Sequence, residues 1–324
     1  IQADTDIWLE YAGEKGIHGA ILSYLSLKKE NFYMVENTVD GKFFVTARGW
    51  EDLSEILKSY EELQVEIGEE LIGEFLQKEE IARDFAGYYR LYEKYKSDYQ
   101  IQEILDGNVI SGQLKTCCDM GKKASFEERF TVTEMLLEAV TERISVFQKI
   151  DEKTEKLYEN LKLLKIFLQE KNSVEAMEQF VASRRKALDA KICSELLTAE
   201  EAAREEEQIR ILEEYFFQLK ELHISDVAEG IEQIGERFGN VCRLRNEKLE
   251  ETKKMLEQAF SFLEECFGEG QELLLFETGL TGDDRCSIFI SQYGCPSYFK
   301  HCELLLYSKK ENELRKECRD LLED

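Results

Sequence analysis

Apolar residues recur along most of the chain at intervals of three and four, the spacing of a helix with one buried face. The longest such pattern fills residues 125–267 and predicts four helices joined by short turns. Ser125, Thr198 and Ser225 are expected to cap the N-termini of the first, third and fourth helices. Because long helices joined by short turns pack side by side in opposite directions, the pattern predicts an antiparallel helical bundle or coiled-coil arm.

Residues 1–107 carry shorter helical patterns and one short apolar run, Phe43–Val45, that is typical of a strand. Thr46 follows this run and is expected to cap the next helix. The apolar face of that helix is marked by Trp50, Leu53, Leu57 and Tyr60. Arg48 therefore lies in the first helical turn, where free backbone N–H groups and the helix dipole favour an anion. A guanidinium there can bind a phosphate through two hydrogen bonds.

The remaining segments are short. Residues 108–124 are expected to be a linker or a short helix, and residues 268–324 a small α or α+β appendix. Within the appendix, residues 278–284 read as a loop because two glycines flank polar residues. Residues 287–291 fit either a strand or a helical turn, and Ser297 begins a last helix. Together with the single proline of the chain, these patterns predict a mainly α protein.

The segment around Arg48 resembles the sensor-2 segment of MoxR-like AAA+ ATPases. In that family an arginine at the start of a lid helix reaches the terminal phosphate of bound ATP. The family often has proline where this chain has Ala47. The order and spacing of flanking helices match as well, through the stretches Trp8–Ala12, Ile21–Leu25, Ile81–Ala86 and Leu91–Tyr95. The resemblance covers roughly the first third of the chain.

The resemblance implies that residues 1–107 form a helical AAA+ lid, with Arg48 binding ATP only together with an ATP-hydrolysing core. That core is missing from the sequence. No G-x-x-x-x-G-K-[ST] loop occurs, and no apolar strand ending in paired acidic residues precedes the lid-like segment. The chain also begins at Ile1. We therefore expect a C-terminal fragment that is not itself catalytic, from a parent ATPase that uses ATP and Mg²⁺.

The same resemblance implies partners for the parent protein. It would assemble as a ring, commonly a hexamer, and use ATP hydrolysis to remodel or activate a client protein. A protein with a von Willebrand A domain is the first client class to expect, and the helical arm would contact it. The alternative is a stand-alone acidic helical scaffold or coiled-coil interaction protein without nucleotide chemistry.

Charge narrows the choice of partners. The chain has 68 acidic and 42 basic residues, which gives a net charge of -26. Nucleic acids and anionic membrane surfaces attract clustered Lys and Arg, so neither is expected as a partner. No apolar stretch approaches the length that a bilayer requires, and no signal peptide is visible. The sequence thus favours a cytoplasmic protein with protein partners.

Nine cysteines at irregular spacing favour reduced thiols over a disulfide framework. The adjacent Cys117 and Cys118 are therefore expected to be free. Zinc ligands gather in the appendix, where Cys286, Cys295, His301 and Cys302 lie close in sequence. They lack a Cys-x-x-Cys pair, and adjacent helical residues point in different directions, so we expect no metal site. His301 is instead expected to be exposed and Cys302 to pack between helices.

The other candidate groups have structural interpretations. His18 lies where a loop enters a helix and is expected to pack, and His223 is expected to mark the end of a bundle helix. Asp283 and Asp284 lack the spacing of a calcium loop and are expected to form a turn. Arg48 is thus the one site residue that the sequence predicts.

Overall fold

The computed structural model describes residues 4–38, 41–107 and 111–302, and most of these are helical. The mainly α fold is confirmed. Two strands, β1 (Met34–Thr38) and β2 (Gly41–Val45), form an antiparallel hairpin. Residues 296–302 are helical, in addition to α1 (Thr5–Lys15), α2 (Gly19–Leu27), α3 (Ala47–Glu62), α4 (Glu69–Phe75), α5 (Glu79–Tyr99), α6 (Ile101–Asp106), α7 (Ser111–Gly121), α8 (Phe126–Lys171), α9 (Ala176–Cys193), α10 (Ala199–Glu221), α11 (Val227–Phe267), α12 (Gln271–Gly282) and α13 (Asp284–Tyr293).

The chain forms two compact units. The first unit combines residues 1–141 with 255–324, and the second unit is residues 142–254. Helices α8 and α11 contribute residues to both. The first unit takes in both the predicted lid-like segment and, as far as it is described, the predicted appendix. The second unit lies within the predicted arm. None of the helices in the described ranges combines the length and apolar content needed to cross a bilayer.

An aromatic core holds the first unit together. Trp50, Tyr24 and Phe85 are fully buried, and their ring centroids are 5.1 to 5.8 Å apart. The indole N–H of Trp50 donates to the backbone carbonyl of Phe32 at 3.1 Å, so the one polar atom of this ring is satisfied. Burial of these large aromatic rings on α2, α3 and α5 stabilises this part of the unit.

The second unit has an apolar core of its own, and the predicted capping box starts its third helix. Thr198 accepts from the backbone N–H of Glu201, and the Glu201 carboxylate accepts from the backbone N–H of Thr198. Core residues come from α8, α9, α10 and α11, and include Leu164, Leu168, Met177, Val181, Leu188, Ile209, Leu212, Leu219 and Ile234. Each helix buries one stripe, as the periodicity predicts.

Two local predictions are wrong. Asp226, not Ser225, caps α11: its carboxylate accepts from the backbone N–H of Glu229 at 3.0 Å. The predicted loop at 278–284 is largely helix α12. Gly279 there allows close packing, because a Cβ at this position would lie 2.2 Å from the side chain of Leu137 on α8. The glycine therefore marks a helix contact and not a turn.

Other local predictions are confirmed. Residues 287–291, for which the sequence left strand and helical turn open, are helical in α13. Asp283 forms the turn before α13 by accepting from the backbone N–H groups of Arg285 and Cys286, whereas Asp284 is the first residue of the helix. His223 follows Leu222, the C-cap residue of α10, and has a φ of 56°, the left-handed conformation that ends a helix. The predicted last helix is present over 296–302, and its continuation lies outside the described residues.

Candidate functional site

Arg48 lies in the first turn of α3, where the sequence places it. The Thr46 hydroxyl caps this helix by accepting from the backbone N–H of Gly49 at 3.2 Å. The Arg48 side chain is 80% exposed, and its Nε lies 3.0 Å from Oδ1 of Asp52, one turn along the helix. The hydrogen bond and charge of Asp52 raise the pKa of Arg48. The guanidinium is therefore a permanent, solvent-facing cation at a helix N-terminus.

Packing on both sides fixes the backbone that carries Arg48. A Cβ at Gly49 would lie 2.8 Å from the backbone carbonyl oxygen of Phe75, at the end of α4. Trp50 is held on the other side through its hydrogen bond to Phe32, which precedes the hairpin. The first turn of α3 is thus fixed between the end of α4 and the start of the hairpin, while the Arg48 side chain projects into solvent.

The surroundings of this turn are mixed in character. The hairpin exposes apolar side chains on its strands, among them Val35, Phe43 and Phe44. Lys78, at the start of α5, pairs with Glu36 of β1. A shallow, open depression of about 660 Å³ lies between α4 and α5, and Glu69, Glu70 and Glu79 line it. Its acidic lining disfavours an anionic ligand.

A second polar cluster lies inside the first unit around Glu61. His18 caps α2, with Nδ1 accepting from the backbone N–H of Ala20 at 3.1 Å. Its Nε2 therefore carries the proton and donates to Oε1 of Glu61 at 2.7 Å. Tyr89 donates to the same oxygen at 3.0 Å, and Lys96 to Oε2 at 3.1 Å. The cluster joins α2, α3 and α5, so the packing role predicted for His18 is confirmed.

The charges of this cluster set the pKa of Glu61. Burial acts to raise it, but the hydrogen bond from His18, together with the charge and hydrogen bond of Lys96, outweighs burial and lowers the pKa to about 2. Glu61 is therefore ionised at every physiological pH. Side chains of the first unit satisfy both carboxylate oxygens of Glu61, which points to a structural role.

The prediction that His301 is exposed is wrong. It is 3% exposed, stacks on Phe260 with 5.8 Å between ring centroids, and contacts Oε1 of Glu264 through Nε2 at 2.5 Å. Lys300 donates to the same oxygen at 3.1 Å. Both partners of His301 lie on α11, 41 residues (Phe260) and 37 residues (Glu264) earlier in the chain, so no local signal revealed them. Within the described ranges, no three His, Cys, Asp or Glu side chains are grouped as metal ligands.

The prediction that Cys118 is a free thiol is also wrong. Cys118 of α7 forms a disulfide with Cys266 at the end of α11, 148 residues later in the sequence. Pairing at this separation depends on how α7 docks, which the spacing of cysteines does not show. Cys117 is free, as predicted, and buried. The other free cysteines among the described residues are Cys193, Cys242, Cys286, Cys295 and Cys302.

Comparison of the chain with protein-family models, with curated proteins and with solved structures finds no significant match. The resemblance to MoxR-like ATPases thus depends on the residues quoted for it. The candidate site that the geometry supports is the exposed Arg48 on its fixed helix turn.

Proposed function

We propose that this chain is the lid and partner-binding region of a MoxR-like AAA+ ATPase, and that Arg48 contacts the terminal phosphate of ATP held by a separate core. The observation that carries the proposal is the placement of Arg48. An exposed guanidinium lies in the first turn of a helix capped by Thr46, directly after a strand. Backbone N–H groups and the helix dipole add to its attraction for a phosphate.

The ion pair with Asp52 is compatible with this role. Both side chains are exposed, at 80% for Arg48 and 47% for Asp52. Exposed pairs contribute little to stability, because water screens them and both side chains lose freedom. A terminal phosphate has more charge than one carboxylate and offers several oxygens, so it competes well for the guanidinium. Arg48 can exchange Asp52 for phosphate without disturbing the buried face of α3.

In this proposal the chain's own residues bind and transmit, and the hydrolytic chemistry belongs to the core. ATP and Mg²⁺ bind to that core, and Arg48 stabilises charge on the terminal phosphate. Because packing fixes the first turn of α3, binding of Arg48 to the phosphate moves the first unit as a rigid body and does not bend α3. The predicted arm at 125–267 contacts the client, for which a von Willebrand A-domain protein is the first candidate. The parent works as a ring, with a hexamer expected.

The test is substitution of Arg48 in the polypeptide that contains the core. Arg48→Ala should lower the turnover number for ATP by about 100-fold, the size of effect seen when one charge-stabilising donor is removed. Arg48→Lys should restore part of it, because charge is kept and two-bond contact is lost. The matched control is Arg90→Ala, an exposed arginine of the same unit. Unchanged turnover in Arg48→Ala would refute the role.

A second candidate function is an acidic helical scaffold without nucleotide chemistry. The separate core of the second unit favours it, because a bundle of this kind needs no nucleotide to fold. The coding sequence upstream of Ile1 discriminates between the two. The ATPase proposal requires a phosphate-binding loop and an acidic magnesium-binding strand there, and the scaffold requires neither.

A further inference from the structure

Helix α7 is joined covalently to the C-terminal end of α11. The Cα atoms of Cys118 and Cys266 are 4.2 Å apart, and the two side chains are bonded through their sulfurs. Both residues are buried, with exposures of 7% and 1%. Both belong to the first unit. The bond closes a loop of 148 residues that contains the whole second unit.

The contact around this bond is tight. A Cβ at Gly121, the last residue of α7, would lie 2.8 Å from the ring of Phe267 and 3.6 Å from the Cβ of Cys266. Before α7, the Tyr99 ring meets Phe262 edge to face, with centroids 6.4 Å apart. Cys266 and Phe267 at the end of α11 therefore contact α7, and Phe262, about one turn earlier, contacts the end of α5. The bond can form only while α7 is docked there, because a disulfide tolerates little separation.

The neighbouring Cys117 does not compete for the bond. Its Sγ lies 3.7 Å from the carbonyl oxygen of Asp98 and 3.9 Å from that of Tyr99, on the side of α5. Burial raises the pKa of the Cys117 thiol. A buried thiol held in its protonated form is a poor nucleophile. Exchange at Cys118 and Cys266 therefore requires a thiol or disulfide from solution.

We propose that Cys118 and Cys266 form a redox-sensitive clamp that controls the docking of α7 on the end of α11. In the reduced protein, one of the two thiolates attacks a small disulfide such as oxidised glutathione and releases one glutathione thiolate. The second cysteine then attacks the mixed disulfide and releases the other. Two electrons pass from the protein thiols to the oxidant, and an excess of a dithiol reductant reverses both steps.

Reduction should release α7 while leaving the rest of the first unit folded. The aromatic core around Trp50 is remote in sequence from α7 and has no part in the bond. The bond restricts the unfolded chain across a long loop, so it also stabilises the native state. Redox state therefore sets both the docking of α7 and the stability of the unit that carries Arg48.

Two measurements on the full chain test the clamp. After incubation with oxidised glutathione, mass spectrometry of the denatured and alkylated protein should find Cys118 and Cys266 unmodified and joined, and after reduction both should be alkylated. Amide hydrogen exchange should be at least about tenfold faster across α7 in the reduced protein, and unchanged across α3. The midpoint of thermal unfolding should fall by about 5–10 °C on reduction.

Cys118→Ser should reproduce the reduced state under oxidising conditions, and Cys117→Ser is the matched control that keeps the bond. If Cys118→Ser fails to fold, the wild-type protein with and without reductant still decides the question. Alkylation of Cys118 and Cys266 after oxidation overturns the proposal. Equal exchange of α7 in the oxidised and reduced proteins overturns it as well, because the bond would then not control docking.

Discussion

Neutralising Glu61 should destabilise the first unit in a way that depends on pH. Glu61→Gln keeps the shape of the side chain and removes the charge that His18, Tyr89 and Lys96 surround. A neutral amide oxygen is a weaker acceptor for these donors than a carboxylate. The buried His18 ring also loses the carboxylate that accepts the hydrogen bond from its Nε2.

The magnitude follows from the pKa of Glu61. A carboxyl group whose pKa falls from 4.5 in the unfolded chain to about 2 in the folded one stabilises the folded state by about 3 kcal/mol at pH 7. The folded pKa is the lower one, so this contribution is complete above about pH 5 and disappears as the pH falls towards 2. At pH 3 less than half of it is left.

Urea unfolding followed by tryptophan fluorescence measures this effect in the correct unit. Trp8 and Trp50 are the two tryptophans of the chain, and both lie in the first unit. At pH 7 Glu61→Gln should lower the free energy of unfolding by about 2–3 kcal/mol, and the deficit should shrink towards pH 3. The control is Glu62→Gln, an exposed neighbour on α3. An equal deficit at both pH values, or one no larger than that of Glu62→Gln, refutes the reasoning.

Two further substitutions test packing and capping. Gly49→Ala should cost the first unit about 1–3 kcal/mol, because the new Cβ would meet the backbone carbonyl of Phe75 at 2.8 Å. On α5 the Cβ of Gly87→Ala would meet open space, so this variant should raise the free energy of unfolding by up to about 1 kcal/mol in the same fluorescence assay. Equal stability of the two variants would contradict the packing argument. Thr198→Ala should cost about 1 kcal/mol and accelerate hydrogen exchange in the first turn of α10. Unaltered exchange there would show that the capping box with Glu201 is dispensable.

The features that sequence predicts well are those whose partners lie within one helical turn. Thr46 and the backbone N–H of Gly49 are three residues apart, and so are Thr198 and that of Glu201. These caps can be predicted from the sequence because they form without any distant contact. Asp226 shows their limit. It adjoins Ser225, both residues are good caps, and only the register of the first turn of α11 chooses between them.

The features that sequence misses depend on distant partners. Glu61 and His18 are 43 residues apart, His301 and Glu264 are 37 apart, and Cys118 and Cys266 are 148 apart. Each pair forms only when helices dock. Hydrophobic periodicity predicts which face of a helix is buried but not which helix packs against it. The wrong prediction of a loop at Gly279 has the same cause. Its lack of a side chain allows α8 to pack closely against α12, a contact that the sequence does not show.

Arg48 combines both kinds of feature. Its position in the helix can be predicted from the sequence, but the contacts that hold its helical turn in place cannot. The strand, the cap and the helix start are local, so the sequence places the guanidinium correctly in the first turn. The rigidity of that turn comes from contacts of its neighbours with Phe75 and Phe32, 26 and 18 residues away from them in the chain. A functional group is positioned more precisely when the helix or strand that carries it is rigid. The first turn of α3 provides such a support, since the residues after Arg48 are packed while Arg48 itself is exposed and accessible to a ligand.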